Sequence, residues 1–171
     1  LRRNRMKEFS RRLVAENNLS TDDLILPLFV CEGNNVEDPI QSMPGVSRYS
    51  IDKLLHKVED AVRFSIPAIA IFPQIEPSLK NAEGSLAFDE NNLVCRSIKS
   101  IKKEFSGIGI ICDVALDPFT DHGHDGLVVN DKIDNDKTLD ILEKQALVQV
   151  HAGCDVIAPS DMMDGRVGRI R

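Results

Sequence analysis

Acidic and imidazole side chains cluster in one short stretch, directly after an apolar run. The apolar run, Gly109 to Cys112, shows no polar alternation, which predicts a strand covered on both faces. Between this run and Gly126 lie seven side chains that could catalyse a reaction or bind a ligand: Asp113, Asp117, Thr120, Asp121, His122, His124 and Asp125. Carboxylates and imidazoles transfer protons or bind metal ions. Binding groups collect at the carboxyl ends of strands in parallel α/β folds, so this stretch is the first candidate site.

The polar residues at the predicted strand ends could also have purely structural roles. Asp113 could accept backbone amides in a turn, and Ser160 or Asp164 could cap a helix that begins near Asp164. A metal cluster could form from Asp117, His122, His124 and Asp125. Carboxylates favour hard cations such as Mg²⁺, whereas H-x-H would suit a transition metal and is a weak motif by itself. Asp113 and Ser160 follow strands that are predicted to be neighbours, so together they favour a functional site.

Charge is distributed unevenly along the chain of 171 residues. The net charge is −6 and the pI is near 5.2, which argues against nucleic-acid binding and against a basic membrane-surface role. Residues 1–12 carry six Lys or Arg and one Glu, a net +5, which leaves −11 for the remainder. A basic arm on an acidic body predicts that the arm packs on an acidic neighbour.

The four cysteines show no C-x-x-C spacing, which predicts buried, reduced thiols rather than disulfides or a zinc site. The sequence contains no apolar stretch of membrane-spanning length and no secretory signal. We therefore expect a cytoplasmic protein. The first residue is Leu1 rather than Met, and the sequence stops where a helix begins, so we expect a piece of a longer protein.

Strands and helices are predicted to alternate four times. The predicted strands are Leu24–Val30, Ala68–Phe72, Gly109–Cys112 and Asp155–Pro159, and the predicted helices are Phe9–Glu16, Ser50 to before Pro67, Leu93–Phe105 and Asp136–Ala152. Short returns to each strand and long polar loops after it are typical of a (β/α)8 barrel. Four units make half of a barrel. A doubly wound sheet is the alternative. Such sheets usually carry a glycine-rich phosphate loop after the first strand, but the segment Val30 to Asn34 does not match G-x-G-x-x-G.

Details of the elements are also predicted. Residues 1–20 form the N-terminal arm, and residues 21–171 form the first four βα units of an incomplete TIM barrel. The segment Gly33–Arg48 is predicted to be loop, and Pro27 should lie near an edge, a bulge or a strand end. Ser50 is the predicted N-cap of its helix, Asn135 or Asp136 that of the last long helix, and Gly153 its stop.

No lysine lies inside an apolar strand. Six lysines fall on predicted outward helix faces and three in polar loops: Lys53, Lys57, Lys99, Lys102, Lys103 and Lys144, and then Lys80, Lys132 and Lys137. Carbonyl chemistry in barrels often uses a desolvated lysine that forms a Schiff base. If this barrel uses one, it is absent from these residues.

Several strings resemble one known family. LILPLFV, SMPGVSR, IPAIAIFP, CDVALDPFTDHGHDG and above all IAPSDMMDGRVGRIR are similar to delta-aminolevulinic acid dehydratase, also called porphobilinogen synthase. The resemblance runs from end to end and keeps the motifs in order. It implies a (β/α)8 barrel whose N-terminal arm embraces a neighbouring subunit in a homo-octamer.

The resemblance also implies the reaction. Two molecules of 5-aminolevulinate condense to porphobilinogen with loss of water, an early step of haem and other tetrapyrrole synthesis. Two barrel lysines of the family form Schiff bases with the substrates, and both lie downstream of the APSDMMDGR segment. The chain resembles the first half of the enzyme and is expected to be inactive alone.

Residue roles follow from the resemblance position by position. Asp113 matches the strand-end aspartate near the reacting amines, and Ser160 matches a serine that lines the pocket; both are expected to be catalytic. Phe72 and Asp161 are expected to contact substrate.

The zinc-dependent members of the family carry cysteines at the positions of Ala115, Asp117 and Asp125. An alanine and two aspartates match instead the branch that uses Mg²⁺ or monovalent cations, so Asp117 and Asp125 are expected to bind such a cation and no catalytic zinc is expected.

Two other functions stay open at this point. The chain could be a non-catalytic half-barrel that binds a cation or pairs with other subunits. It could also be part of a Mg²⁺-dependent aldolase or hydrolase on the same barrel, with Asp113 and Asp117 as ligands.

Overall fold

The computed structural model describes residues 2–171. The strands are β1 (Ile25–Val30), β2 (Glu37–Pro39), β3 (Ser47–Tyr49), β4 (Ala68–Pro73), β5 (Gly109–Val114), β6 (Val128–Val129), β7 (Lys132–Ile133) and β8 (Val156–Pro159). The helices are α1 (Arg2–Arg5), α2 (Glu8–Leu13), α3 (Ile51–Arg63), α4 (Leu93–Glu104), α5 (Asn135–Ala152) and α6 (Arg166–Ile170). Short 3₁₀ turns lie at Thr21–Asp23, Pro77–Leu79 and Ser85–Phe88.

Four parallel strands form the centre of the main sheet. They lie side by side in chain order, β1, β4, β5 and β8, and the small strands β3 and β2 follow on the other side of β1. Each pair of neighbouring central strands is parallel, and α3, α4 and α5 make the three connections between them. The predicted alternation of four strands with helices is confirmed.

The helices cover one face of this sheet. In β5 the side chains of Ile110, Cys112 and Val114 are fully buried, and the residues between them are only half-buried. On the uncovered face Ile25 is 55% exposed and Val156 is 50% exposed. The sequence predicted strands covered on both faces, but within residues 2–171 one face remains open. A doubly wound sheet carries helices on both faces, so the arrangement favours the barrel.

Helix boundaries follow local chemistry. Helix α3 ends at Arg63, before Pro67, and Gly153 closes α5 with a φ of 111°, as predicted. The predicted N-cap of α5 is wrong, because Asp134 caps that helix and its carboxylate accepts the backbone N–H of Lys137. Ser50 stands at the N-cap of α3, but its hydroxyl bonds Val36 and the Asp52 carboxylate instead of capping.

Two short strand pairs lie where loops were predicted. Strands β2 and β3 pair antiparallel, and all of their residues except Tyr49 lie in the predicted loop Gly33–Arg48. Strand β3 adds parallel pairs to Phe29 and Val30 at the end of β1. Pro27 comes before these pairs, so the prediction of a local edge is confirmed. Strands β6 and β7 form a hairpin that contains Lys132, which was predicted to lie in a loop.

The N-terminal segment makes little contact with the rest of the chain. Helix α2 covers the first part of the predicted helix Phe9–Glu16, and neither α1 nor α2 contains a buried residue. Met6, Phe9 and Leu13 are all exposed. Among residues 2–171, no helix is both long enough and apolar enough to cross a lipid bilayer.

Candidate active site

The candidate active site lies at the carboxyl ends of the central strands. Asp113 alternates along β5 with the buried Cys112 and Val114, so its side chain lies on the face that the helices leave open. The register pairs Asp113 with Ala158 of β8, and Ser160 follows β8 directly. Adjacent strands therefore bring these two predicted site residues together.

Phe72 lies two strands away from Ser160 on the same face. It is half-buried near the end of β4 and is paired in register with Phe29 of β1. The two rings pack at a centroid distance of 5.7 Å with an interplanar angle of 31°. This aromatic pair provides apolar surface on the open face of the sheet, near the strand ends that carry Asp113 and Ser160.

Burial changes the acidity of Asp113. Desolvation raises the pKa of this carboxyl above its usual value, and the nearby Ser160 hydroxyl and backbone N–H groups only partly offset the rise. A carboxyl with a raised pKa exchanges protons closer to neutral pH than an exposed one. The arrangement gives Asp113 the properties of a general acid or base.

A cavity of about 430 Å³ opens next to Ser160. Its lining consists of Asp117, Gly123, His124, Asp125, Ser160 and Met162. It brings the two predicted cation ligands, Asp117 and Asp125, to one space. Burial raises the pKa of Asp117, and the nearby charges of Asp113 and Asp125 raise it further. The cavity is therefore acidic and favours a positively charged occupant, either a metal cation or a substrate ammonium group.

The donor chemistry of this cavity fits a hard cation better than zinc. The two carboxylates offer oxygen ligands, and Asp125 also accepts the backbone N–H of Met162 at 3.1 Å and lies 3.5 Å from Nδ1 of His124. All four cysteines are buried, and burial raises the pKa of Cys95 to about 11, which keeps that thiol protonated. No group of three or more His, Cys, Asp or Glu within residues 2–171 is arranged to hold a metal ion.

The two loop histidines do not converge on one point. Nδ1 of His122 accepts the backbone N–H of His124 at 3.1 Å, and Nε2 of His122 lies 3.4 Å from the carbonyl of Ala82. The ring centroids are 6.3 Å apart. Thr120 donates to the carbonyl of His124 at 2.7 Å. These contacts hold the loop together, and only His124 reaches the cavity.

Asp161 takes a different position from the one expected of a substrate contact. It is 2% exposed, and one carboxylate oxygen accepts the backbone N–H of Met163 at 2.7 Å while the other lies 3.4 Å from Nε of Arg166. Asp161 does not line the cavity. Its contacts hold the turn after β8 that carries Ser160.

Two residues of this region were missed from the sequence. Met162 lines the cavity beside the predicted His124, and Gln149 donates to the backbone carbonyl of Asp113 at 3.0 Å. A signal for the glutamine existed, because Gln145 and Gln149 fall at the same helical spacing as the apolar residues Leu142 and Ala146. Polar residues on a buried helix face need partners inside the protein.

Comparison with known proteins agrees with this geometry. The family model described as "Delta-aminolevulinic acid dehydratase" matches residues 1–171. The chain is 59% identical over 170 residues to the delta-aminolevulinic acid dehydratase of Bradyrhizobium diazoefficiens, covering 99% of this chain and 48% of that protein. It is 45% identical to the enzyme of the same name from Chlamydia pneumoniae, covering 99% and 51%. The chain thus spans about half the length of these curated relatives.

A solved structure shows the same fold. It is the delta-aminolevulinic acid dehydratase (porphobilinogen synthase) of Toxoplasma gondii in complex with the reaction product porphobilinogen. The match has a TM-score of 0.94 at 42% identity and covers 99% of this chain and 49% of the other. The fold is therefore half of a TIM barrel, as the sequence predicted.

Proposed function

Because the chain belongs to the delta-aminolevulinic acid dehydratase family, we propose that the complete protein condenses two molecules of 5-aminolevulinate to porphobilinogen with loss of water. The complete protein here means the polypeptide that contains residues 1–171 with whatever precedes and follows them. The family match over the whole chain carries this proposal. The acidic, partly buried mouth at Asp113 and Ser160 supports it, and no observation favours the aldolase or hydrolase alternative.

Each predicted site residue receives a role under this proposal. Asp113 exchanges protons with the reacting amines, and Ser160 lies beside its carboxylate and lines the pocket. Phe72 contributes apolar surface against the carbon chain of the substrate. Asp161 positions the turn that carries Ser160 and does not touch the substrate.

The nucleophilic lysines lie outside residues 1–171 under this proposal. On the open face, the central strands β1, β4, β5 and β8 contain no lysine. Lys80 lines a separate cavity with Phe29, Arg48 and Pro118, but it follows a 3₁₀ turn and does not lie on a strand. A Schiff-base lysine needs a desolvated setting. We therefore assign the two Schiff bases to the other half of the barrel.

Borohydride trapping tests the function. The complete protein is incubated with ¹⁴C-labelled 5-aminolevulinate, reduced, digested and mapped, alongside a colorimetric measurement of porphobilinogen. We expect product formation and label only on peptides outside residues 1–171, because Schiff bases form on the strand-borne lysines. Absence of product, or label on Lys80, contradicts the proposal.

The cation is proposed to be Mg²⁺ or a monovalent ion rather than zinc. Asp117 and Asp125 would hold it, because they are the carboxylates that share the cavity beside Ser160. A cation held there would supply positive charge inside the cavity beside Ser160. Ala115 is buried and offers no ligand.

Metal analysis checks this assignment. We expect the purified complete protein to contain no stoichiometric zinc and to keep its activity in a zinc-selective chelator, since two carboxylates favour hard cations. Addition of Mg²⁺ or K⁺ should restore activity after exhaustive dialysis, and the double variant Asp117→Asn, Asp125→Asn should lose this response. Stoichiometric zinc whose removal abolishes activity would overturn the assignment.

We propose that the N-terminal arm joins copies of the protein into a homo-oligomer, an octamer in the family. The arm is basic, its helices bury nothing on their own chain, and Phe9 and Leu13 are 62% and 80% exposed. Exposed apolar side chains on a charged helix are typical of an interaction surface. We also propose that the complete protein is cytoplasmic.

A further inference from the structure

Two glutamines of α5 face the strand that carries Asp113. Gln145 and Gln149 are each 1% exposed and lie four residues apart, so they share one face of the helix. The side-chain amide of Gln149 donates to the backbone carbonyl of Asp113 at 3.0 Å. The amide of Gln145 donates to the carbonyl of Ala115 at 3.2 Å. Both contacts lie at the end of β5, where the site begins.

The carbonyl of Asp113 needs this donor because of Pro73. The pairing of β4 with β5 ends at Ile71 and Cys112. Continued by two residues, the same register would place the backbone nitrogen of Pro73 beside the Asp113 carbonyl, and proline has no N–H to donate. A buried carbonyl without a partner is costly. The helix therefore supplies from a side chain the hydrogen bond that the neighbouring strand cannot.

Both glutamines use only half of their side-chain amide. The Oε1 atoms of Gln145 and Gln149 are buried and have no hydrogen-bond partner among the described residues, which lowers the stability that each side chain provides. The donor half of the Gln149 amide points at the backbone of Asp113. The fixed carbonyl in turn fixes the direction in which the Asp113 side chain leaves the strand.

We propose that Gln149 is a positioning residue that holds Asp113 in its orientation toward Ser160, a role that rests on the proposed function. Gln145 instead holds the carbonyl of Ala115, two residues further along the chain, and makes no hydrogen bond to Asp113. The two glutamines thus match in burial, helix face and chemistry, and they differ in which carbonyl they hold. This difference provides an internal control.

The test compares Gln149→Met with Gln145→Met in the complete protein. Each change keeps the length of the side chain and removes one buried donor. For Gln149→Met we expect kcat/KM to fall about tenfold or more, the loss typical of a misplaced catalytic group. The acid limb of its pH profile should also move to lower pH, because burial is the main cause of the raised pKa of Asp113 and a looser strand end admits water. Gln145→Met should leave that limb in place.

Hydrogen exchange measured by mass spectrometry adds a readout that needs no turnover. We expect Gln149→Met to speed amide exchange in residues 112–114, and Gln145→Met to speed it only beyond residue 114. Both variants should melt within a few degrees of each other. Equal shifts of the pH profile in the two variants, or none in Gln149→Met, would overturn the proposal while the function stands. If the unaltered complete protein forms no porphobilinogen, the proposed function fails, and the exchange contrast alone decides whether Gln149 holds Asp113.

Discussion

Replacement of Asp113 by asparagine is expected to lower kcat of the complete protein by roughly 10²- to 10⁴-fold, the range that proton transfer by a positioned side chain contributes. Asparagine keeps the size of the side chain but cannot exchange the proton. We expect the acid limb of the rate profile to lie above the usual carboxyl range, because burial raises the pKa of Asp113, and we expect the variant to lack this limb. Steady-state porphobilinogen assays between pH 5 and pH 9 measure both effects.

Stability provides the check that this loss is chemical. The folded-state pKa of Asp113 is raised above its unfolded value, so the folded state binds more protons between the two values. The free energy of unfolding therefore falls as pH rises through that window. Above that pH window the buried ionised carboxylate destabilises the folded state, and asparagine carries no charge. Asp113→Asn should therefore be at least as stable as the unaltered protein.

Asp131 offers a matched control for the same chemical change. It is an exposed aspartate with a φ of 58°, a conformation in which asparagine is well tolerated. Asp131→Asn should keep full activity. A folded Asp113→Asn protein that keeps its activity would contradict the assignment of Asp113 as a proton-transfer group, and an unfolded one would contradict the expected stability.

Residues 1–171 by themselves are expected to form no porphobilinogen, a complete loss relative to the complete protein. The site of this half has carboxylates and an apolar wall, but its open strand face carries no lysine. The same face exposes Ile25 and Val156 to solvent at 55% and 50%, and β8 has a neighbour on one side only. An exposed apolar face with an unpaired parallel edge favours association over a defined monomer.

Mixing the two halves measures this prediction. Residues 1–171 are assayed alone and after refolding with a separately produced remainder of the complete protein, and size is followed by light scattering. We expect activity to return only in the mixture, because closure of the barrel pairs the free edge and supplies the lysines. The matched control is a mixture in which this half carries Asp113→Asn. Porphobilinogen formed by residues 1–171 alone would show that the reaction does not need the lysines of the other half, and would contradict this prediction.

Long periodic segments could be predicted from the sequence because their physics is local. The buried strands β4 and β5 read as continuous apolar runs, and the spacing of apolar residues in α3 follows the helical period. The short strands β2 and β3 were missed, because three-residue pairs depend on a partner strand that local sequence does not reveal. The N-cap was misplaced by one residue or more because three successive polar residues, Asp134, Asn135 and Asp136, all suit that position.

The sequence by itself determined the family, the order of the βα units and the residue types at the strand ends, since these depend on composition and short motifs. Only the tertiary structure decided which of those residues meet. It placed Asp117 and Asp125 on one cavity with Ser160, buried Asp161 beneath its own turn and joined Gln149 to Asp113 across 36 residues. The physical reason is that burial and hydrogen-bond partners are set by contacts between distant segments. A proline in one strand, a carbonyl in the next and a glutamine on a later helix become related only when the sheet and the helix layer have come together.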